Sequence, residues 1–331
     1  LSKNILADGF SPIMDLEKSN GSYIVDQVTG ESYLDMFSMF ASASVGYNHP
    51  KIVENSNLLA KVSLIKPTLS DLYNTYYAEF LDTFNKIAIP EYLTHAFFVE
   101  GGALAVENAL KTAFDWKIRK NLELGIKNKG SQIIHFKQAF HGRSGYTLSL
   151  TNTSDPRKTM YFPKFEWPRI LNPYKTFPFD KEALKDVIKK EKESIAQIKN
   201  VLKKNLNDIA AIIIEPIQGE GGVRPVSLNF LEKIKNICLK RNLLFFLDEV
   251  QSGFGRSGKL FSYQWSDIEP DVIAIAKGIG SGFPMGACLA TNDSSLGAWE
   301  LLQFQAHHLP TESQDRNNLP MQYDRDSPWS C

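Results

Sequence analysis

The sequence predicts an α/β fold with a mostly parallel central sheet and helices on both of its faces. Five short apolar runs, each followed by polar or glycine-rich residues, occupy positions 96–99, 133–136, 209–214, 243–247 and 272–276. Runs of this kind are typical of strands buried on both faces. Between them lie apolar stripes at helical spacing, such as Val106, Ala109, Leu110, Ala113 and Phe114. Alternating strands and helices favour βαβ units and an open sheet.

Three further stretches complete the predicted organisation. A second stripe, formed by Leu231, Ile234, Cys238 and Leu239, predicts another amphipathic helix. The lysine-rich stretch 182–207 is typical of one or two solvated surface helices. The first 45 residues, with a turn at Thr29 and Gly30, predict a hairpin beside the main domain.

Composition narrows the class of protein. The 331 residues are 43% hydrophobic and 22% charged, enough for one large core or two domains. Lys+Arg and Asp+Glu balance at 37 each, so no charge excess favours nucleic acid or a membrane surface as a partner. No apolar run approaches the roughly 20 residues of a membrane span. Three scattered cysteines and no secretory pattern predict a cytoplasmic protein without a disulfide framework or a metal site.

The two ends of the sequence differ from the rest. The chain starts at Leu1 rather than at a methionine, which indicates a fragment. From about Ser294 the residues turn polar, without a helical or strand period, and 311–331 is the clearest case. This tail is either disordered or foreign to the fold, and we favour the second interpretation. We therefore divide the chain into 1–45, a large domain at 46–293, and an atypical tail at 294–331.

Lys277 is the first candidate for chemistry. It follows the apolar run 273–276 and precedes Gly278 and Gly280. Apolar surroundings lower the pKa of an amine, which favours condensation with an aldehyde. The glycines leave space for a bulky cofactor near the backbone. Taken alone, however, a lysine at a strand end is usually a solvated surface residue.

Asp248 ends another apolar run and supplies a carboxylate. Near a pyridinium nitrogen, a carboxylate keeps the nitrogen protonated, so that the ring can accept electrons. Val250 and Gln251 follow at once, suited to cover a ring face and to hydrogen-bond a phenolic oxygen. Taken alone, Asp248 is equally well a helix cap.

Three other segments offer complementary groups. Gly101, Gly102 and Ala103 lie between a predicted strand and a predicted helix, where backbone amides and the helix dipole suit a phosphate. The segment 140–143 provides an aromatic ring, Phe140, and a guanidinium, Arg143, that can bind a carboxylate. The glycine-rich segment 215–222 carries the carboxylates of Glu215 and Glu220, which are otherwise ordinary loop charges.

Each signal is modest alone, but their combination at strand ends predicts a pocket for pyridoxal 5′-phosphate. The segments 248–256 and 215–222 resemble those of the class III aminotransferases, and the resemblance covers about residues 5–293. It implies a fold type I transferase that depends on pyridoxal phosphate and forms a homodimer. The family's small C-terminal domain has no counterpart in this sequence.

Within the class, different stretches of the sequence resemble two different subfamilies. The stretches 34–42, 98–111, 139–151 and 162–170 are most similar to the lysine 6-aminotransferases. The stretch 258–291 is more similar to the acetylornithine aminotransferases. The implied reaction transfers the ε-amino group of L-lysine to 2-oxoglutarate. The alternatives are an activity on acetylornithine, ornithine or 4-aminobutyrate, or a non-catalytic fragment that binds pyridoxal phosphate.

The resemblance also implies a role for each candidate residue. Lys277 forms the covalent bond to the cofactor, and Asp248 contacts the ring nitrogen. The remaining cofactor contacts come from Phe140 and Val250 on the ring faces, Gln251 at the phenolic oxygen, and Gly102 with Ala103 at the phosphate. Arg143 binds the α-carboxylate of the substrate. Glu220 is implied to be a switch residue that pairs with an arginine further downstream.

Overall fold

The computed structural model describes residues 10–64, 73–205 and 207–295. It has eleven strands in this part of the chain: β1 Tyr23–Val25, β2 Ser32–Leu34, β3 His95–Val99, β4 Gln132–Phe136, β5 Arg169–Ile170, β6 Ile209–Ile214, β7 Ile217–Gln218, β8 Arg224–Pro225, β9 Leu244–Asp248, β10 Val272–Ile275 and β11 Gly286–Ala290. Seven of them form the central sheet, in the order β3-β11-β10-β9-β6-β4-β5.

The central sheet is mostly parallel, as the sequence predicts. Strands β10, β9, β6, β4 and β5 pair in parallel, whereas β11 is antiparallel to both of its neighbours, β10 and β3. The five apolar runs correspond to β3, β4, β6, β9 and β10. The sequence reasoning missed β11, whose residues are small and give no strong strand signal.

Helices cover both faces of the sheet, which confirms the predicted layers. The helices are α1 Ser38–Ala41, α2 Pro50–Glu54, α3 Ser56–Leu64, α4 Thr75–Ile87, α5 Gly102–Glu123, α6 Thr147–Leu150, α7 Lys181–Lys204, α8 Leu228–Arg241 and α9 Asn292–Ser295. Residues of α5 form one buried cluster with Ile213, Phe246 and Ala274. Residues of α4, α7 and α8 form a second with Ile214, Phe245 and Ile275. Alternate residues of each strand therefore face opposite layers.

Two surface expectations also hold. The lysine-rich stretch forms one helix, α7, and its apolar stripe includes the buried Ile198 and Leu202. The hairpin β1–β2 is antiparallel, and at its turn Gly30 has a φ of 75° and donates to the carbonyl of Asp26 at 2.8 Å. The predicted tail lies outside the described residues except for 294 and 295. The division into three segments remains a prediction.

The hairpin leads into an unusual turn at α1. All four residues, Ser38–Ala41, have positive φ angles between 48° and 70°, so the turn is left-handed. Asp35 caps this turn by accepting hydrogen bonds from the backbone N–H groups of Phe37 at 2.8 Å and Ser38 at 2.7 Å. Across the described ranges, no helix combines the length and apolar character that a bilayer crossing requires.

Candidate active site

The candidate site lies at the carboxyl edge of the central sheet, where chemistry gathers in open α/β folds. Asp248 is the last residue of β9 and pairs in register with Ala274 of β10. Lys277 follows the end of β10 by two residues. A cavity of about 600 Å³ opens at this edge. Eight of the nine site residues expected from the sequence line it: Gly102, Ala103, Phe140, Arg143, Asp248, Val250, Gln251 and Lys277.

Lys277 presents a partly buried amine to this cavity. Its Nζ donates a hydrogen bond to Oε1 of Gln251 at 2.8 Å. Burial lowers the pKa of the amine, and this effect outweighs the opposing charges of Asp248, Glu215 and Glu220. A larger fraction of the amine is therefore neutral and able to attack an aldehyde.

Asp248 is buried and held by two donors. Its Oδ2 lies 2.7 Å from Nδ1 of His141, and its Oδ1 accepts from the backbone N–H of Val250 at 3.0 Å. Only 4% of Asp248 is exposed, so a charged carboxylate there depends on these partners. The arrangement fixes the carboxylate at the cavity wall.

His141 has a functional position that the sequence reasoning did not assign. Burial favours its neutral form, but the hydrogen bond and charge of Asp248, with the charge of Glu215, raise the pKa of the imidazole. His141 and Asp248 are 107 residues apart, so the sequence gives no sign that they meet. The position of His141 next to Phe140 was the only indication that it could lie in the site.

Glu215 joins this buried group from the end of β6. It accepts hydrogen bonds from the backbone N–H groups of Phe140 at 2.9 Å and Gly219 at 3.3 Å. Burial, together with the charge of Asp248, raises the pKa of Glu215 to about 7 against the opposing effect of His141. Glu215 thus connects the segment that carries Phe140 to the glycine-rich loop.

The first turn of α5 forms another wall. Gly101 is the N-cap with a φ of 139°, and Gly102 and Ala103 line the cavity. A Cβ on Gly102 would lie 2.8 Å from Cγ1 of Val250, so a larger residue at this position requires α5 or Val250 to shift. The N–H groups of a helix N-terminus bind phosphate well, as expected for this turn.

Arg143 and Glu220 lie further out. Arg143 is exposed at the rim of the cavity. Glu220 is not among the residues that line the cavity, and it forms an ion pair with Lys158. Its charge nevertheless acts on Lys277. The pairing of Glu220 with an arginine, which the resemblance implies, remains a prediction.

Sequence reasoning also missed parts of the wall that come from distant segments. Ser42 follows the left-handed turn and lines the cavity. Phe283, Pro284 and Met285 line it from the connection between Lys277 and β11. No spacing rule links these residues to the strand ends, because their placement depends on how the connecting segments pack.

The residues that are present fit pyridoxal phosphate. A partly buried amine, a buried carboxylate, a helix N-terminus and the ring of Phe140 meet in one cavity. The lack of a side chain at Gly102 lets the first turn of α5 pack directly against Val250 at the cavity wall. No cluster of metal-ligating side chains exists in the described part of the chain. The fold and the site define a pyridoxal phosphate-binding protein of fold type I.

Comparison with known proteins places the chain within that class. The family model for aminotransferase class III matches residues 6–301, and the chain belongs to this family. It is 45% identical over 281 residues to L-lysine-epsilon aminotransferase of Mycobacterium tuberculosis, covering 84% of this chain and 62% of the relative. It is 34% identical over 281 residues to acetylornithine aminotransferase of Mesorhizobium japonicum, covering 85% of this chain and 62% of the relative. The chain thus spans less than two thirds of these relatives.

Solved structures agree with this assignment. The structure of lysine aminotransferase from M. tuberculosis in the internal aldimine form superposes with a TM-score of 0.83 at 42% identity, covering 90% of this chain and 68% of that one. An (S)-enantioselective omega-transaminase from Thermomicrobium roseum gives a TM-score of 0.72 at 27% identity, covering 86% and 62%. Pyridoxal phosphate is the cofactor that the family and these structures indicate.

Proposed function

We propose that the protein transfers the ε-amino group of L-lysine to 2-oxoglutarate, which gives glutamate and a semialdehyde. The observation that carries this proposal is the meeting of the Lys277 amine with the buried Asp248 carboxylate in one cavity. The 45% identity to L-lysine-epsilon aminotransferases supports lysine as the amino donor.

The cofactor and the chain have separate tasks in this reaction. When bound, pyridoxal phosphate supplies an aldehyde that takes up the amino group and a ring that accepts the electron pair of the substrate carbon. With the cofactor bound, Asp248 would hold a proton on the ring nitrogen, and His141 orients Asp248. Nζ of Lys277 would accept the proton that leaves the substrate carbon and later donate it again. The N–H groups at Gly102 and Ala103 would bind the phosphate.

The choice between the two amines of lysine is a matter of distance. Arg143, exposed at the cavity rim, binds the α-carboxylate by a charge-assisted contact. The extended side chain then brings the distal amine to the cofactor while the α-amine stays near the rim. Glu220 is the proposed switch between donor and acceptor, and release from Lys158 would free it for that role.

The test is glutamate formation by the purified chain with pyridoxal phosphate and 2-oxoglutarate. We expect L-lysine to be the best donor among lysine, ornithine, acetylornithine and 4-aminobutyrate. A preference for acetylornithine would favour the second candidate, which the 34% identity to acetylornithine aminotransferase supports.

A third outcome concerns a protein that binds the cofactor without turnover. Visible absorbance that Lys277→Ala abolishes, with no glutamate from any donor, would show a binding fragment and would contradict the proposed activity. The proposal includes assembly as a homodimer, which light scattering on the purified chain would test.

A further inference from the structure

The loop that follows Asp248 has a fixed path. Glu249 is fully buried and accepts hydrogen bonds from Oγ of Ser252 at 2.5 Å and from the backbone N–H of Tyr263 at 3.0 Å. The carboxylate of Glu249, at the start of the segment 249–263, therefore bonds directly to the backbone at its end. The same segment carries Val250 and Gln251 into the cavity and presents Arg256 on an exposed turn.

Arg256 extends from this loop to the N-terminal part of the chain. Its Nη2 donates a hydrogen bond to the carbonyl of Ala41 at 2.9 Å. Ala41 is the last residue of the left-handed turn α1. Residues with a Cβ adopt this conformation only at an energetic cost, so the turn depends on contacts from outside it.

The residues after the turn lie against the Lys277 segment. Ser42 lines the cavity. A Cβ on Gly278 would lie 2.8 Å from both Oγ of Ser44 and Cβ of Phe254. The N-terminal segment and the 249–263 loop therefore close together on the residue next to Lys277.

We propose that Arg256 is a positioning residue that holds the turn Ser38–Ala41 against the cofactor-binding loop and thereby places the Ser42 wall at the Lys277 end of the cavity.

Hydrogen exchange tests whether Arg256 holds this turn in place, and the measurement does not require turnover. In Arg256→Gln we expect amides of the peptide 37–47 to exchange about tenfold faster, because a hydrogen bond from a charged donor contributes stabilisation of that order. The amides of β9 and β10 should be unchanged. Arg119→Gln, which removes an exposed pair with Asp115 on α5, is the matched control. Unchanged exchange at 37–47, or equal acceleration in the sheet, would overturn the proposal.

Arg256→Lys separates the planar guanidinium contact from the positive charge. It keeps the charge but lacks Nη2, so we expect the 37–47 peptide to exchange faster than in the wild type. Wild-type exchange in Arg256→Lys and in Arg256→Gln alike would overturn the positioning role. Hydrogen exchange does not require lysine as substrate, so failure here is distinct from failure of the proposed activity.

Discussion

Nδ1 of His141 lies 2.7 Å from Oδ2 of Asp248, and both residues are almost fully buried at the carboxyl end of β9. A charged carboxylate can only accept hydrogen bonds, so Nδ1 carries the proton in this pair. The contact joins the segment after β4 to the end of β9. It orients the carboxylate that we assign to the ring nitrogen of the cofactor.

This pair predicts a non-additive mutant cycle. Asp248→Asn should slow the first half-reaction with lysine by about 10²–10³-fold, the size of effect expected for a lost charge contact at a reacting group. His141→Ala should slow it by about tenfold, because it removes one hydrogen bond to a charged group. His141→Ala should add little to Asp248→Asn, since it acts through Asp248. Single-turnover absorbance kinetics measure each rate, and fully additive losses would show independent roles.

Arg143 predicts a loss of discrimination between two donors. Arg143→Gln should raise KM for L-lysine by about 10- to 100-fold, as expected when a charge-assisted contact to the substrate carboxylate is lost. Cadaverine has the same two terminal amines but no carboxylate, so its KM should change little. Steady-state assays with both donors give the comparison. Equal changes in KM for the two donors would place the α-carboxylate elsewhere.

Glu249 predicts a specific pH dependence of stability. Burial raises the pKa of its carboxyl to about 7 from an ordinary 4.5. The folded chain therefore binds this proton more tightly than the unfolded chain, and the resulting stabilisation is complete below pH 4.5 and lost as the pH rises to about 7. Glu249→Gln, which stays neutral, should lose less of its free energy of unfolding between pH 5 and 8.

Urea denaturation at several pH values measures this difference. Glu232→Gln, on the exposed surface of α8, is the control and should follow the wild type. Parallel curves for Glu249→Gln and the wild type would show that Glu249 is not protonated in the folded chain.

Gly102 predicts a steric effect on cofactor binding. Gly102→Ala places a Cβ 2.8 Å from Cγ1 of Val250, so either the first turn of α5 or Val250 must shift. Overpacking of this kind costs about 1–3 kcal/mol, so the Kd for pyridoxal phosphate should rise by about tenfold or more. Gly145→Ala, where the nearest atom would be 3.8 Å away, is the matched control. Fluorescence titration of the apoprotein gives both constants, and equal values would contradict the predicted clash.

The strand ends could be predicted from sequence because the candidate reactive side chains come directly at the end of apolar runs. Asp248 and Lys277 are the clearest cases, since Asp248 ends one fully buried strand and Lys277 follows another. Parallel pairing of β9 and β10 then places them at one edge without further information. The sequence also predicted helix α5, because its apolar residues repeat at helical spacing over several turns.

Contacts that join distant segments could not be predicted. The His141–Asp248 pair, the Lys158–Glu220 ion pair and the Arg256–Ala41 hydrogen bond each connect residues more than 60 positions apart. The left-handed turn at α1 was missed because none of its residues is a glycine. Strand β11 was missed because its burial comes from its position between β3 and β10 rather than from bulky side chains.

Borohydride reduction of the chain loaded with pyridoxal phosphate, followed by peptide mapping, tests the central assignment most directly. We expect one labelled peptide, containing Lys277, and no label in Lys277→Ala. Lys259→Ala, which changes an exposed lysine near Trp265, should leave the label in place. A label on any other lysine would contradict the proposed site and the reaction built on it.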